Sequence, residues 1–142
     1  MTFRALAMLA FIAILLPSPL HAQAAVLRID VAHPPAKAAD VRVGLYTSPS
    51  NWLDDEPVHG MRTEATDTLT TVLFEMLPEG IYGAAIYLDE NRNGKLDRNL
   101  IGLFKEPFGF SEKARVRLGP PKWEDAVFEV TDEPTRLFVR LD

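Results

Sequence analysis

The chain has no cysteine. That excludes disulfide staples, thiolate metal centres and a lipid-modified N-terminal cysteine. Histidine is scarce: the three residues His21, His33 and His59 match no zinc spacing such as H-E-x-x-H. No apolar run approaches the roughly 20 residues that a membrane-spanning helix needs; the longest, Ala5 to Leu16, has twelve. A basic stripe is also missing, since 15 Lys and Arg face 20 Asp and Glu for a net charge of −5. An acidic chain of this kind is a poor partner for nucleic acid or an anionic membrane. No segment shows a sustained helical period, and none repeats.

What the N-terminus does have is the anatomy of an export signal. Arg4 gives a positive start, the apolar run follows, Pro17-Ser18-Pro19 ends any helix, and Ala22-Gln23-Ala24 is a small-x-small cleavage pattern. Residues 1–24 are therefore expected to be a cleaved signal peptide, and the mature protein to be periplasmic or secreted. Residues 25–142 remain as one domain of 118 residues with 14 basic and 20 acidic side chains, large enough to bury a core without staples. No membrane partner is expected after cleavage.

Within that domain, apolar and polar residues alternate at period two. Val26 to Val31 and Val41 to Tyr46 read as strands covered on one face, joined through His33-Pro34-Pro35. Thr47 to Glu64, with Pro49, Asp54-Asp55-Glu56, Pro57 and Gly60, reads as a long loop with one helical turn near Ser50 to Leu53. Thr66 to Met76 and Ile81 to Leu88 read as strands around the turn Leu77-Pro78-Glu79-Gly80. Lys113 to Leu118, Ala126 to Val130 and Arg136 to Leu141 complete the set. About seven short strands separated by turn signals imply an all-β, Ig-like antiparallel sandwich.

The densest chemistry lies directly after Leu88, in Asp89-Glu90-Asn91-Arg92-Asn93-Gly94-Lys95-Leu96-Asp97. Calcium loops of the EF-hand kind take side-chain oxygens from positions 1, 3 and 5, turn on a glycine at 6, and use the carbonyl at 7. Here these are Asp89, Asn91, Asn93, Gly94 and the Lys95 carbonyl, with Asp97 at position 9. The bidentate Glu of position 12 is replaced by Leu100, and neither flank is an amphipathic helix. A calcium-type ion would thus need water or an outside carboxylate, from Glu106 or from Asp54-Asp55-Glu56. Only two formal charges lie in the set, so affinity in the roughly 10⁻⁴ to 10⁻³ M range is expected. The plainer alternative is a metal-free polar turn: Asn-Gly between apolar runs is a hairpin signal, and Asp and Asn make Asx turns unaided.

An ordered series runs through the mature chain. It comprises Leu77-Pro78-Glu79-Gly80-Ile81-Tyr82, Asp89 to Asp97, Gly102, Lys105-Glu106, Gly109-Phe110-Ser111, Pro120-Pro121 and Trp123-Glu124-Asp125-Ala126. The series resembles the bacterial exported family called domain of unknown function 2141. The resemblance implies a transthyretin-like β-sandwich behind a signal peptide, and no established activity. Asp89, Asn91, Asn93, Asp97 and Glu106 match the family pattern, which favours Glu106 as part of the same site. The chain departs from it at Leu88, where the family commonly has His, and at Phe104 and Pro107-Phe108, where Pro and Gly-Tyr are usual. No role of that histidine can be carried over.

Catalysis finds little support: Gly109-Phe110-Ser111-Glu112-Lys113 lacks the second glycine of a nucleophile elbow. The expected role is a non-enzymatic binding or scaffold module in which the cation is structural. An alternative is a glycan- or peptide-binding module built on Phe104, Phe108, Phe110 and Trp123, whose rings could equally plug the open end of the sandwich.

Overall fold

The computed structural model describes residues 25–112, 114–117 and 119–142. The expected signal peptide, residues 1–24, lies outside the described residues, as do Lys113 and Leu118. Eight strands are described: β1 (Ala25–Ala32), β2 (Asp40–Tyr46), β3 (His59–Glu64), β4 (Leu69–Leu77), β5 (Gly80–Asp89), β6 (Phe108–Phe110), β7 (Val127–Val130) and β8 (Thr135–Arg140). One four-residue helical turn, α1 (Trp123–Ala126), precedes β7.

The strands make two sheets. One has the order β4-β1-β8; the other has the order β3-β2-β5-β6, with β7 also paired to β5. β7 meets residues 80–83 of β5 and β6 meets residues 85–87, so the two short strands share one edge. The alternating apolar residues face inward and form the core between the sheets. Leu27, Ile29 and Val31 come from β1, Val72 and Phe74 from β4, and Val139 from β8. Val41, Val43 and Leu45 of β2 and Tyr82, Ala84, Ile86 and Leu88 of β5 answer from the other side. The all-β sandwich read from the sequence is therefore the architecture present.

Four details differ from the expectation. β1 and β8 run parallel, in register from Leu27 opposite Thr135 to Ala32 opposite Arg140, so the sandwich is not antiparallel throughout. β3 emerges from the second half of the segment read as a loop, where half-buried residues at every second position give a one-faced edge strand beside β2. β6 is drawn from Glu106 to Ser111, a Gly/Pro/aromatic stretch that reads as a loop, because Phe108–Phe110 completes the edge of β5. Residues 114–117, expected in a strand, form none. Their charged-apolar alternation is that of a strand, but it gains no partner.

The first half of the expected loop folds back over the outer face of the larger sheet. Turn hydrogen bonds from Asn51 N–H to the Ser48 carbonyl and from Asp54 N–H to the Asn51 carbonyl shape it. Trp52 reaches across to donate its indole N–H to the Pro121 carbonyl at 2.8 Å. Gly83 on β5 is the floor of this layer. A Cβ there would lie 2.9 Å from both the Trp52 and the Trp123 ring.

Candidate cation loop

Asp89 is the last residue of β5 and faces away from the core, because its neighbour Leu88 faces in. Across the sheet it stands opposite Asp40 of β2. The chain then turns back over this outer face. Asp89 is fully buried beneath it, and its carboxylate organises the turn. Oδ1 accepts the Asn93 N–H at 3.0 Å, and Oδ2 accepts the Gly94 N–H at 2.9 Å. Gly94 sits at φ +81°, in the left-handed region where a side chain is strained. Beneath it lies the Arg42 guanidinium, which donates from Nε to Asp89 Oδ2 at 2.6 Å.

The remaining polar residues of the loop converge on Asp97. Asn91 Nδ2 donates to Asp97 Oδ2 at 2.6 Å, while Asn93 Nδ2 donates to both carboxylate oxygens at 3.0 and 3.1 Å. These amide donors, Asn93 foremost, hold the Asp97 carboxyl below its usual range. The amide oxygens make Asx turns: Asn91 Oδ1 accepts the Asn93 N–H and Asn93 Oδ1 accepts the Lys95 N–H. Lys95 itself is exposed at the outer bend. Glu106, buried, clamps the loop ends: Oε1 accepts the Glu90 N–H and Oε2 the Asp97 N–H, each at 3.0 Å.

The side chains of five of the six residues singled out in the sequence, Asp89, Asn91, Asn93, Asp97 and Glu106, are thus bonded to one another or to the backbone of the same loop, and Lys95 joins through its N–H alone. They divide into two groups. Asp89 is engaged by Arg42, whereas Asn91, Asn93 and Asp97 form a separate, more exposed cluster. Among the described residues, no three His, Cys, Asp or Glu side chains gather as a metal-binding group. Asp54-Asp55-Glu56 do not reach the loop: they follow Tyr46, at the end of β2 opposite to Asp40.

Two participants were missed in the sequence, Arg42 and Asp40. Both sit on the outer face of a strand, away from the core, and only the long-range register of β2 against β5 brings them to the loop. Asp40 is almost completely buried, and its Oδ2 has no hydrogen-bond partner among the described residues. Arg62 and Arg92 stand near its two oxygens at 3.5 and 3.6 Å. Arg92 also pairs with Glu64 at 2.9 Å, so it points out of the loop.

The rings are gathered in one layer. Trp52 contacts Tyr46, Trp123 and Phe110 at centroid distances of 5.4, 5.6 and 6.0 Å. Phe108 continues the row, 5.8 Å from Phe110 and 4.6 Å from Phe104. Aromatic pairs at these spacings stabilise one another.

Residues 29–137 match the model of a bacterial family described as "Uncharacterized protein conserved in bacteria (DUF2141)". The chain belongs to that family. No curated protein and no solved structure matches it. The DUF2141 match includes the whole of the loop from Asp89 to Glu106, together with the β2 and β5 residues beneath it.

Proposed function

We propose that this DUF2141 protein is an exported, transthyretin-like binding or scaffold module, periplasmic or secreted. Its loop at residues 89–97 takes a calcium-type ion weakly, as a structural part. One observation carries this reading: Asn91, Asn93 and Asp97 converge on one another from three separate positions of the loop. A divalent ion entering there replaces the amide N–H donors on Asp97, and each amide turns its oxygen toward the ion. Water completes the six to eight oxygens that calcium takes. Asp89 contributes mainly by shaping the turn, because Arg42 already neutralises it. The donor set is therefore poor in charge, which suits the millimolar end of calcium affinities.

Thermal melting in 10 mM calcium against EDTA tests the proposal. A dissociation constant of roughly 10⁻⁴ to 10⁻³ M gives a stabilisation of about 1.4 to 2.7 kcal/mol at that concentration. Asp97→Ala abolishes the gain. An unchanged melting temperature of the parent protein leaves only the metal-free turn.

A glycan or peptide platform on the aromatic loops has less support. Trp52, Trp123, Phe104, Phe108 and Phe110 are all half-buried and spend their faces on one another. Binding without catalysis also accords with the histidine environment. Both nitrogens of the buried His33 ring are engaged, by the Pro34 carbonyl at 2.8 Å and by Thr70 Oγ1 at 2.9 Å.

A further inference from the structure

The segment after the loop is a small hairpin whose tip is apolar and uncovered. Arg98 and Phe104 form an isolated antiparallel bridge at its base. Asn99 builds the turn: its N–H donates to the Leu103 carbonyl, its carbonyl accepts the Gly102 N–H, and its Oδ1 accepts the N–H groups of Ile101 and Leu103. With the backbone satisfied in this way, Leu100, Ile101 and Leu103 are held out in solvent, at 107, 79 and 60% exposure. A leucine more exposed than in a reference peptide projects from the surface as a knob. It does not lie on a groove.

Charge around the knob runs against that of the molecule. Lys95, Arg98 and Lys105 are exposed on the same stretch, and the Arg98 guanidinium is held 4.4 Å over the Phe104 ring at the base of the tip. The nearby carboxylates are committed, Asp97 to the two amides and Glu106 to backbone N–H groups. Residues 95–105 carry a net +2, so the other 131 residues of the chain carry −7. A convex aliphatic tip with a basic collar, on an otherwise acidic body, matches a surface that is apolar within and anionic at its rim.

We propose that the Leu100-Ile101-Leu103 tip inserts into the interface of an anionic lipid bilayer, with Arg98, Lys105 and Lys95 against the headgroups. The net charge disfavours adhesion across the whole surface, but a single tip keeps the acidic body away from the bilayer. The site does not depend on the proposed cation, so it is tested in EDTA and its failure leaves that reading untouched.

The test uses the chain from Ala25, which contains every described strand of both sheets, and phosphatidylcholine vesicles with and without phosphatidylglycerol. The protein is expected to sediment with the anionic vesicles, and more weakly as salt is raised. Ile101→Ser with Leu100→Ser weakens binding at least tenfold, and Arg98→Gln with Lys105→Gln weakens it on anionic vesicles alone. Circular dichroism of each variant shows that the fold is kept, since none of these side chains enters the core. Absence of binding by the parent protein overturns the proposal, as does binding that the tip variants leave unchanged. So does self-association that the same variants abolish, because the tip would then be covered by a second copy.

Discussion

Asp89 belongs to a chemistry that its place in the sequence conceals. Read along the chain it is the expected first ligand of a cation loop; in three dimensions its charge is matched by Arg42, two positions along β2 from the residue that stands opposite it. A buried carboxylate with three donors is costly to disturb from either side. Asp89→Ala leaves Arg42 Nε and the Gly94 N–H without their acceptor and the Asn93 N–H with Asn91 Oδ1 alone, and is expected to cost about 3–5 kcal/mol, measured by urea unfolding. Asp30 is a second buried carboxylate, on the outer face of the smaller sheet. Arg28 holds its pKa down to about 2, well below the usual carboxylate range, with Thr71 and Arg136 assisting and burial opposing. As pH falls below about 4 the unfolded chain takes this proton first, so the contribution present at neutral pH is lost between about pH 4 and 2. Asp30→Asn should therefore lower stability by about 1 kcal/mol at pH 7, since both arginines are largely in water. The gap to the parent protein should close across that window in urea titrations at stepped pH.

At the scale of elements, legibility followed local pattern. β1 and β2 alternate strongly enough to be read directly, β4 and β5 are rich in β-forming apolar residues between turn signals, and the loop's oxygens lie in one short run. β3 was hidden because Gly60 and the wet residues Arg62 and Glu64 leave only His59, Met61 and Thr63 to mark a face. β6 was hidden because three residues carry no period at all, and only the open edge of β5 makes them a strand. Arg42 could not be assigned to the loop, since nothing local fixes which strands lie side by side. The aromatic layer shows the same dependence on distant partners. Gly83→Ala must move Trp52 and Trp123, each 2.9 Å from the added carbon. A loss of about 1–3 kcal/mol follows, and a red shift of tryptophan fluorescence as the rings gain water is the check.

For the whole molecule, the sandwich class could be read from composition, turn spacing and alternation, whereas the pairing of the last strand with the first could not. β8 lies parallel to β1 in a three-strand sheet whose other member is β4. Ala25 and Arg140 therefore stand at opposite poles of that sheet, about 23 Å apart at the usual rise per residue. During synthesis β1 has β4 on one side and nothing on the other until residues 135–140 have been made. For that interval its Leu27-Ile29-Val31 row borders an unpaired backbone edge, the kind of edge on which identical chains pair with one another. Any chain that ends between Val130 and Thr135 keeps this edge open, so the hazard of aggregation is greatest for products truncated just short of the last strand.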